Sequence, residues 1–167
     1  MIYFESYVRA SYWRGCASSG AGCLRHSSSI DSKRMSGADS FFDTSVLLYL
    51  LSDDTFRADR IETLLAARGV ISVQVLNEFA VVALRKLKMS LNEVREILDT
   101  IRAVCTVEPI TVEAHDRGLA VFERYRFSLY DSILVATALI SGAKILYSED
   151  LQHGQIIDSQ LRVTNPF

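Results

Sequence analysis

From Ser40 onward the chain alternates short apolar runs with longer amphipathic ones, and this alternation restricts its fold more than any other feature. Phe41-Phe42 reads as a short buried strand leading straight into the apolar run Val46 to Leu51. Thr55 to Arg68 reads as a helix with Phe56, Ile61, Leu64 and Leu65 on one face, stopped by Gly69. Val70-Ile71 is a second strand, after which Ser72 caps a helix running to about Lys88. Ser90 caps the next helix, and Cys105 to Val107 forms a strand ended near Pro109. Thr111 to about Arg124 is helical, and Ser128 caps an apolar helix, Ile133 to Ile140, closed by Gly142. Strands at Lys144 to Tyr147 and Leu161 to Val163 complete the pattern. Such alternation with short linkers implies right-handed crossovers and a mainly parallel sheet covered on both faces. The expectation is an α/β/α three-layer sandwich with about five strands.

Residues 1–36 differ from the rest: they are rich in Ser, Gly and Arg and show no sustained period. They read as a poorly ordered extension, a leader or a mis-set start, with the folded domain expected at 37–167. A transit peptide is the functional alternative for this Arg- and Ser-rich stretch. Residues 1–34 hold Arg9, Arg14, Arg25, Lys33 and Arg34 against Glu5 and Asp31, a charge of +3. The formal charge of the whole chain is −2, so the remainder carries about −5. An acidic body argues against broad nonspecific nucleic-acid binding through a basic surface. Three cysteines, Cys16, Cys23 and Cys105, do not make a disulfide framework and suit a reducing, cytoplasmic setting. No apolar run approaches the roughly 18 residues needed to span a bilayer, so no membrane partner is expected.

In an open parallel sheet, ligands bind outside the carboxyl ends of the strands, where strand order reverses. Four acids fall near such ends. Asp43 follows the first strand in FFDTS, and Asp150 follows the Lys144–Tyr147 strand in LYSED. Glu78 sits in VQVLNEFAVV, a helix almost free of charge until Arg85, where a carboxylate is costly to bury without a cation or donor. Asp131 occupies the first turn of a helix in FSLYDSILVA. Each has a plainer reading: Asp43 as a helix cap, Asp131 as the acidic member of a capping box with Ser128, Asp150 as a turn residue. Those readings do not explain why all four recur at the same end of strand–helix units. Clustered carboxylates repel one another unless a cation joins them, and hard oxygen ligands suit Mg²⁺ or Mn²⁺. Such an ion supports attack of water on a phosphodiester with no covalent enzyme intermediate.

The runs FFDTSVLLYLLSDD, ISVQVLNEFAVVALRKL, RFSLYDSILVATAL and LYSEDLQHGQIID, in that order, resemble PIN-domain proteins of the VapC toxin ribonuclease type. The resemblance spans about Ser40 to Phe167. It implies that Asp43, Glu78, Asp131 and Asp150 are the acidic quartet that binds Mg²⁺ or Mn²⁺ and catalyses. Thr44 and Ser148 match the family's small polar residues near the metal. It further implies cleavage of RNA, often a structured RNA such as a transfer RNA, a cognate antitoxin that covers the groove, and a homodimer. The leader before Met35 departs from the family pattern.

Substrate contacts are less marked. Arg85, Lys86 and Lys88 either touch RNA phosphates or complement the helix C-terminus. His153 either contacts RNA or is simply solvated. Tyr125, Phe127 and Tyr130 either stack on bases or pack in the core. A phosphatase of the haloacid-dehalogenase type requires D-x-D, and the second residue after Asp43 is Ser45. The remaining alternative is a non-catalytic PIN-like domain that binds a protein and uses its acids as caps.

Overall fold

The computed structural model describes residues 39–167. The interpretation of residues 1–36, including Cys16 and Cys23, falls outside them. Six strands form one sheet in the order β3-β2-β1-β4-β6-β5. They are β1 (Ser40–Phe42), β2 (Gly69–Ser72), β3 (Cys105–Glu108), β4 (Ile145–Tyr147), β5 (Ile156–Ile157) and β6 (Leu161–Thr164). All pairings are parallel except β5 with β6. The helices are α1 (Thr44–Leu47), α2 (Thr55–Ala66), α3 (Val73–Arg85), α4 (Leu91–Val104), α5 (Val112–Tyr125) and α6 (Leu129–Ser141), and a 3₁₀ turn, Leu48–Leu51, follows α1. The three-layer α/β expectation holds. The expected count of about five strands becomes six, because β5 is a two-residue antiparallel edge too short to leave a periodic signal.

The central strand β1 has neighbours on both sides, so its side chains meet protein on both faces. Phe41 and Phe42 are fully buried, and the Phe42 ring stacks on Tyr147 of β4 with centroids 5.4 Å apart. Gly69 does not stop a helix. The preceding helix ends at Ala66, and Arg68 takes the left-handed conformation (φ 64°) that a C-terminal glycine often supplies. Gly69 instead opens β2, where a Cβ would lie 2.2 Å from the Phe42 ring. The helix expected to reach Lys88 ends at Arg85, and Lys88 also turns left-handed (φ 56°). Helix α6 is the most deeply buried. Seven of its residues, from Ser132 to Leu139, are inaccessible, and Gly118 of α5 lets the two helices meet closely at Ile133. These packed helices hold the carboxyl edge of the sheet rigid enough to position side chains. Among the described residues no helix is long and apolar enough to cross a membrane.

Candidate active site

The chain runs outward from β1 through β2 to β3, then returns to lay β4 on the other side of β1. This reversal creates a crevice at the carboxyl ends of β1 and β4. Phe42 pairs with Tyr147, and the Asp43 N–H donates to the Tyr147 carbonyl at 3.0 Å. Asp43 and the Ser148–Asp150 segment therefore leave the sheet side by side. Asp43 holds the N-cap position of α1, yet its side chain caps nothing. Its Oδ2 accepts hydrogen bonds from Ser148 Oγ at 2.7 Å and Ser45 Oγ at 2.9 Å. Only 7% of Asp43 is exposed. Burial pushes its carboxyl up to about 6, against the two hydroxyls, and the charge of Asp150 adds to the rise.

Asp150 is exposed and its carboxyl is also pushed up, first by partial desolvation and then by the charges of Asp131, Glu149 and Glu78. The field of one acid thus reaches all three of the others. Glu78 stands on α3, and both of its oxygens are engaged: Thr44 Oγ1 donates to Oε2 at 2.8 Å and Gln74 Nε2 to Oε1 at 2.9 Å. The same Gln74 nitrogen donates to the Tyr130 carbonyl at 3.1 Å, tying α3 to the start of α6. Asp131 keeps part of its capping role. Its N–H donates to Ser128 Oγ at 3.1 Å, and Ser128 Oγ donates to Asp131 Oδ2 at 2.7 Å. Ser128→Ala is therefore expected to cost about 1 kcal/mol of stability in urea unfolding. No change in the midpoint would show that the cap contributes nothing.

Among the described residues, no three His, Cys, Asp or Glu side chains surround one point at metal-ligand spacing. Hydroxyls and an amide hold the carboxylates individually instead. The donor chemistry nevertheless fits Mg²⁺ or Mn²⁺: the acids are hard oxygen donors near one crevice, and neighbouring carboxylates raise the proton affinity of Asp43 and Asp150. An open groove of about 530 Å³ adjoins them, lined by Thr44, Ser45, Leu48, Glu78, Val81 and Asp150 among others.

Thr44 and Ser148 lie against Glu78 and Asp43 respectively. Arg85, the last residue of α3, and Lys86 and Lys88 just past it are exposed, Arg85 about 10 Å along the axis from Glu78. His153 is exposed, but its Nδ1 accepts the Asn165 N–H at 3.0 Å and so fastens a turn. Tyr125 stacks on Phe127 and donates to Asp158, whereas Tyr130 is 69% exposed. Cys105 is buried and free, its thiol pushed up to about 12 by burial and hence inert. Sequence reasoning missed Ser45 and Gln74. Gln74 carried a faint signal, an amide one helical turn before an acid in an otherwise apolar stretch, whereas Ser45 carried none.

A sheet with a carboxylate-lined crevice at its reversal point defines a class of small α/β proteins built to place acids together. The PIN domain family matches residues 40–156, and the chain belongs to that family. No curated protein matches the sequence. Several solved structures share the fold, three of them as follows. A toxin–antitoxin complex from Klebsiella pneumoniae is 24% identical with a TM-score of 0.60, covering 77% of this chain and 98% of that one. VapC20 of Mycobacterium tuberculosis, described as a sarcin–ricin-loop-cleaving toxin, is 20% identical with a TM-score of 0.52, covering 65% and 88%. VapBC2 from Rickettsia felis, bound to a promoter DNA fragment, is 14% identical with a TM-score of 0.56, covering 75% and 98%.

Proposed function

We propose that this protein is a Mg²⁺- or Mn²⁺-dependent endoribonuclease and the toxin of a toxin–antitoxin pair, acting on a structured RNA such as a transfer RNA. The observation that carries this reading is the burial of Asp43 at the β1/β4 reversal, beside Asp150, whose carboxyl in turn feels the charges of Asp131 and Glu78. A structural carboxylate would not be kept there at such cost without a counter-charge. In this reading Asp43, Glu78, Asp131 and Asp150 hold the cation. When bound, it supplies charge stabilisation at the phosphodiester during attack by water. Ser148 and Ser45 fix the Asp43 carboxylate, Thr44 and Gln74 fix Glu78, and Ser128 orients Asp131. Arg85 and Lys86 meet RNA phosphates at the groove's far end, with His153 near the strand-end acids.

The open groove beside Leu48 and Val81 offers an apolar bed for an antitoxin segment. A homodimer suits the face of α5 that exposes Val112, Leu119 and Phe122, which fall on one side of the helix. A protein-binding domain without catalysis accounts for Asp131, which is bonded to the helix cap Ser128, but leaves the buried Asp43 unexplained.

The test is incubation of antitoxin-free protein with total RNA in Mg²⁺, Mn²⁺ or EDTA, with end sequencing of the products. Discrete fragments that vanish in EDTA are expected. Mn²⁺ at a hundredfold excess over its Kd is also expected to stabilise the fold by about 2.7 kcal/mol, read as a rise in Tm. Neither cleavage nor a thermal response would remove the nuclease reading and leave the binding domain.

A further inference from the structure

A fifth carboxylate, Glu149, stands in the chain between Ser148 and Asp150, and nothing above assigns it a role. Its backbone N–H donates to Ser45 Oγ at 3.2 Å, and the next N–H, of Asp150, donates to Ser148 Oγ at 3.1 Å. The Glu149 main chain is thus knitted to the inside of the crevice. Its side chain is held from outside, by an ion pair from Arg57 Nη1 to Oε1 at 3.3 Å. Arg57 is itself tightly placed. Its guanidinium lies 4.9 Å from the Tyr49 ring centroid and 5.0 Å from that of Phe167. Those two rings meet edge to face at 4.8 Å. Arg57 also donates to the Tyr49 hydroxyl, and its Nε pairs with Asp54 at 3.3 Å. A planar guanidinium packed against an edge-to-face ring pair loses little further freedom when it pairs with a carboxylate, so this clamp is stiffer than an ordinary surface ion pair. Tyr49 reinforces it: burial, followed by hydrogen bonding to Glu149, pushes its hydroxyl up.

We propose that Arg57, packed against Tyr49 and Phe167, is a positioning residue that holds the Glu149 carboxylate out of the cation site. The inference rests on the metal-dependent nuclease reading. The consequence is a site with four acids available to the cation instead of five. A fifth would bind the ion more tightly and repel the RNA phosphate that must approach it. Glu149 is near enough to matter, since its charge already reaches Asp150.

The test measures Mn²⁺ affinity by calorimetry on the RNA-free protein and KM for a short cleavable RNA. Arg57→Gln is expected to tighten Mn²⁺ binding about fivefold, the effect of one charge on a divalent ion across partly solvated space, and to raise KM for RNA by a similar factor. Glu149→Gln, and Arg57→Gln combined with Glu149→Gln, are expected to remain within about twofold of wild type in both, because Asp54 still neutralises Arg57 in the former. Tyr49→Phe, which keeps the ring and removes only the hydroxyl, is expected to shift Mn²⁺ affinity in the same direction by a smaller factor. It serves as the probe should Arg57→Gln not fold. Unchanged Mn²⁺ affinity in Arg57→Gln overturns the proposal. So does a raised KM that Glu149→Gln does not restore, which would instead place Arg57 directly on RNA. Wild-type protein that binds no Mn²⁺ overturns the nuclease reading and this inference with it, whereas wild-type binding with an unaltered Arg57→Gln overturns only the role of Arg57.

Discussion

Asp43→Asn is expected to abolish RNA cleavage, by on the order of 10³-fold or more, and to raise the melting temperature in EDTA at pH 8. Both effects come from one cause. The Asp43 carboxyl is shifted from 3.8 to about 6 because the folded chain takes its charge out of water. A carboxyl with a raised folded value contributes stability below its unfolded value and loses that contribution as pH rises through about 6. Above that pH the native state carries a buried charge that costs about 3 kcal/mol. Asparagine removes the charge while keeping an oxygen for the Ser45 and Ser148 hydroxyls. Metal-free Asp43→Asn should therefore gain about 2 kcal/mol, or roughly 8 °C, at pH 8. The gain should shrink as pH falls from about 6 toward 4, where the folded carboxyl is protonated while the unfolded one is still largely ionised. Asp150 is shifted in the same direction and adds to the wild-type trend. Calorimetric melting across pH 4–8, with and without Mn²⁺, separates the two components. A variant no more stable than wild type at pH 8 would refute the buried-charge account even if cleavage were lost.

Phe42→Ala is expected to have the largest effect on stability, about 3–5 kcal/mol. Phe42 is fully buried in the central strand, stacks on Tyr147 and presses against Gly69, so truncation leaves a cavity that three strands line. That loss is a large fraction of the 5–15 kcal/mol that ordinarily holds a domain together. Phe42 also precedes Asp43, and the Asp43 N–H continues the β1–β4 ladder. Any protein that remains folded should thus have a misplaced carboxylate and weakened cation binding. Phe42→Leu, which retains most of the volume, should cost less than about 1.5 kcal/mol and keep activity. Urea unfolding of the three proteins measures this. A cost below 1 kcal/mol for alanine would show that the strand is not the mechanical centre of the sheet.

The periodicity of apolar residues was enough to place every long helix and the five longer strands, because an amphipathic helix or buried strand must show its period locally. Helix starts were equally legible: Ser72, Ser90, Thr111 and Ser128 each cap the helix expected to follow. Gly142 closes its helix as expected, but two other helix ends were not legible, since Arg68 and Lys88 adopt left-handed turns that neither side chain advertises. The four acids could be named from their positions near strand ends and in the helices that follow, and Thr44 and Ser148 from the family resemblance. The sequence could not show how they meet. That Asp43 and Asp150 leave adjacent strands depends on β4 returning beside β1, a pairing between residues more than 100 positions apart. Ser45, Gln74 and the Arg57 clamp on Glu149 were invisible for the same reason. Their partners come from other turns and other elements, and hydrogen bonds between distant side chains leave no trace in local periodicity. The sequence alone determined the elements and their chemistry, and the tertiary structure decided which charges share a crevice, because only packing brings distant carboxylates within one another's field.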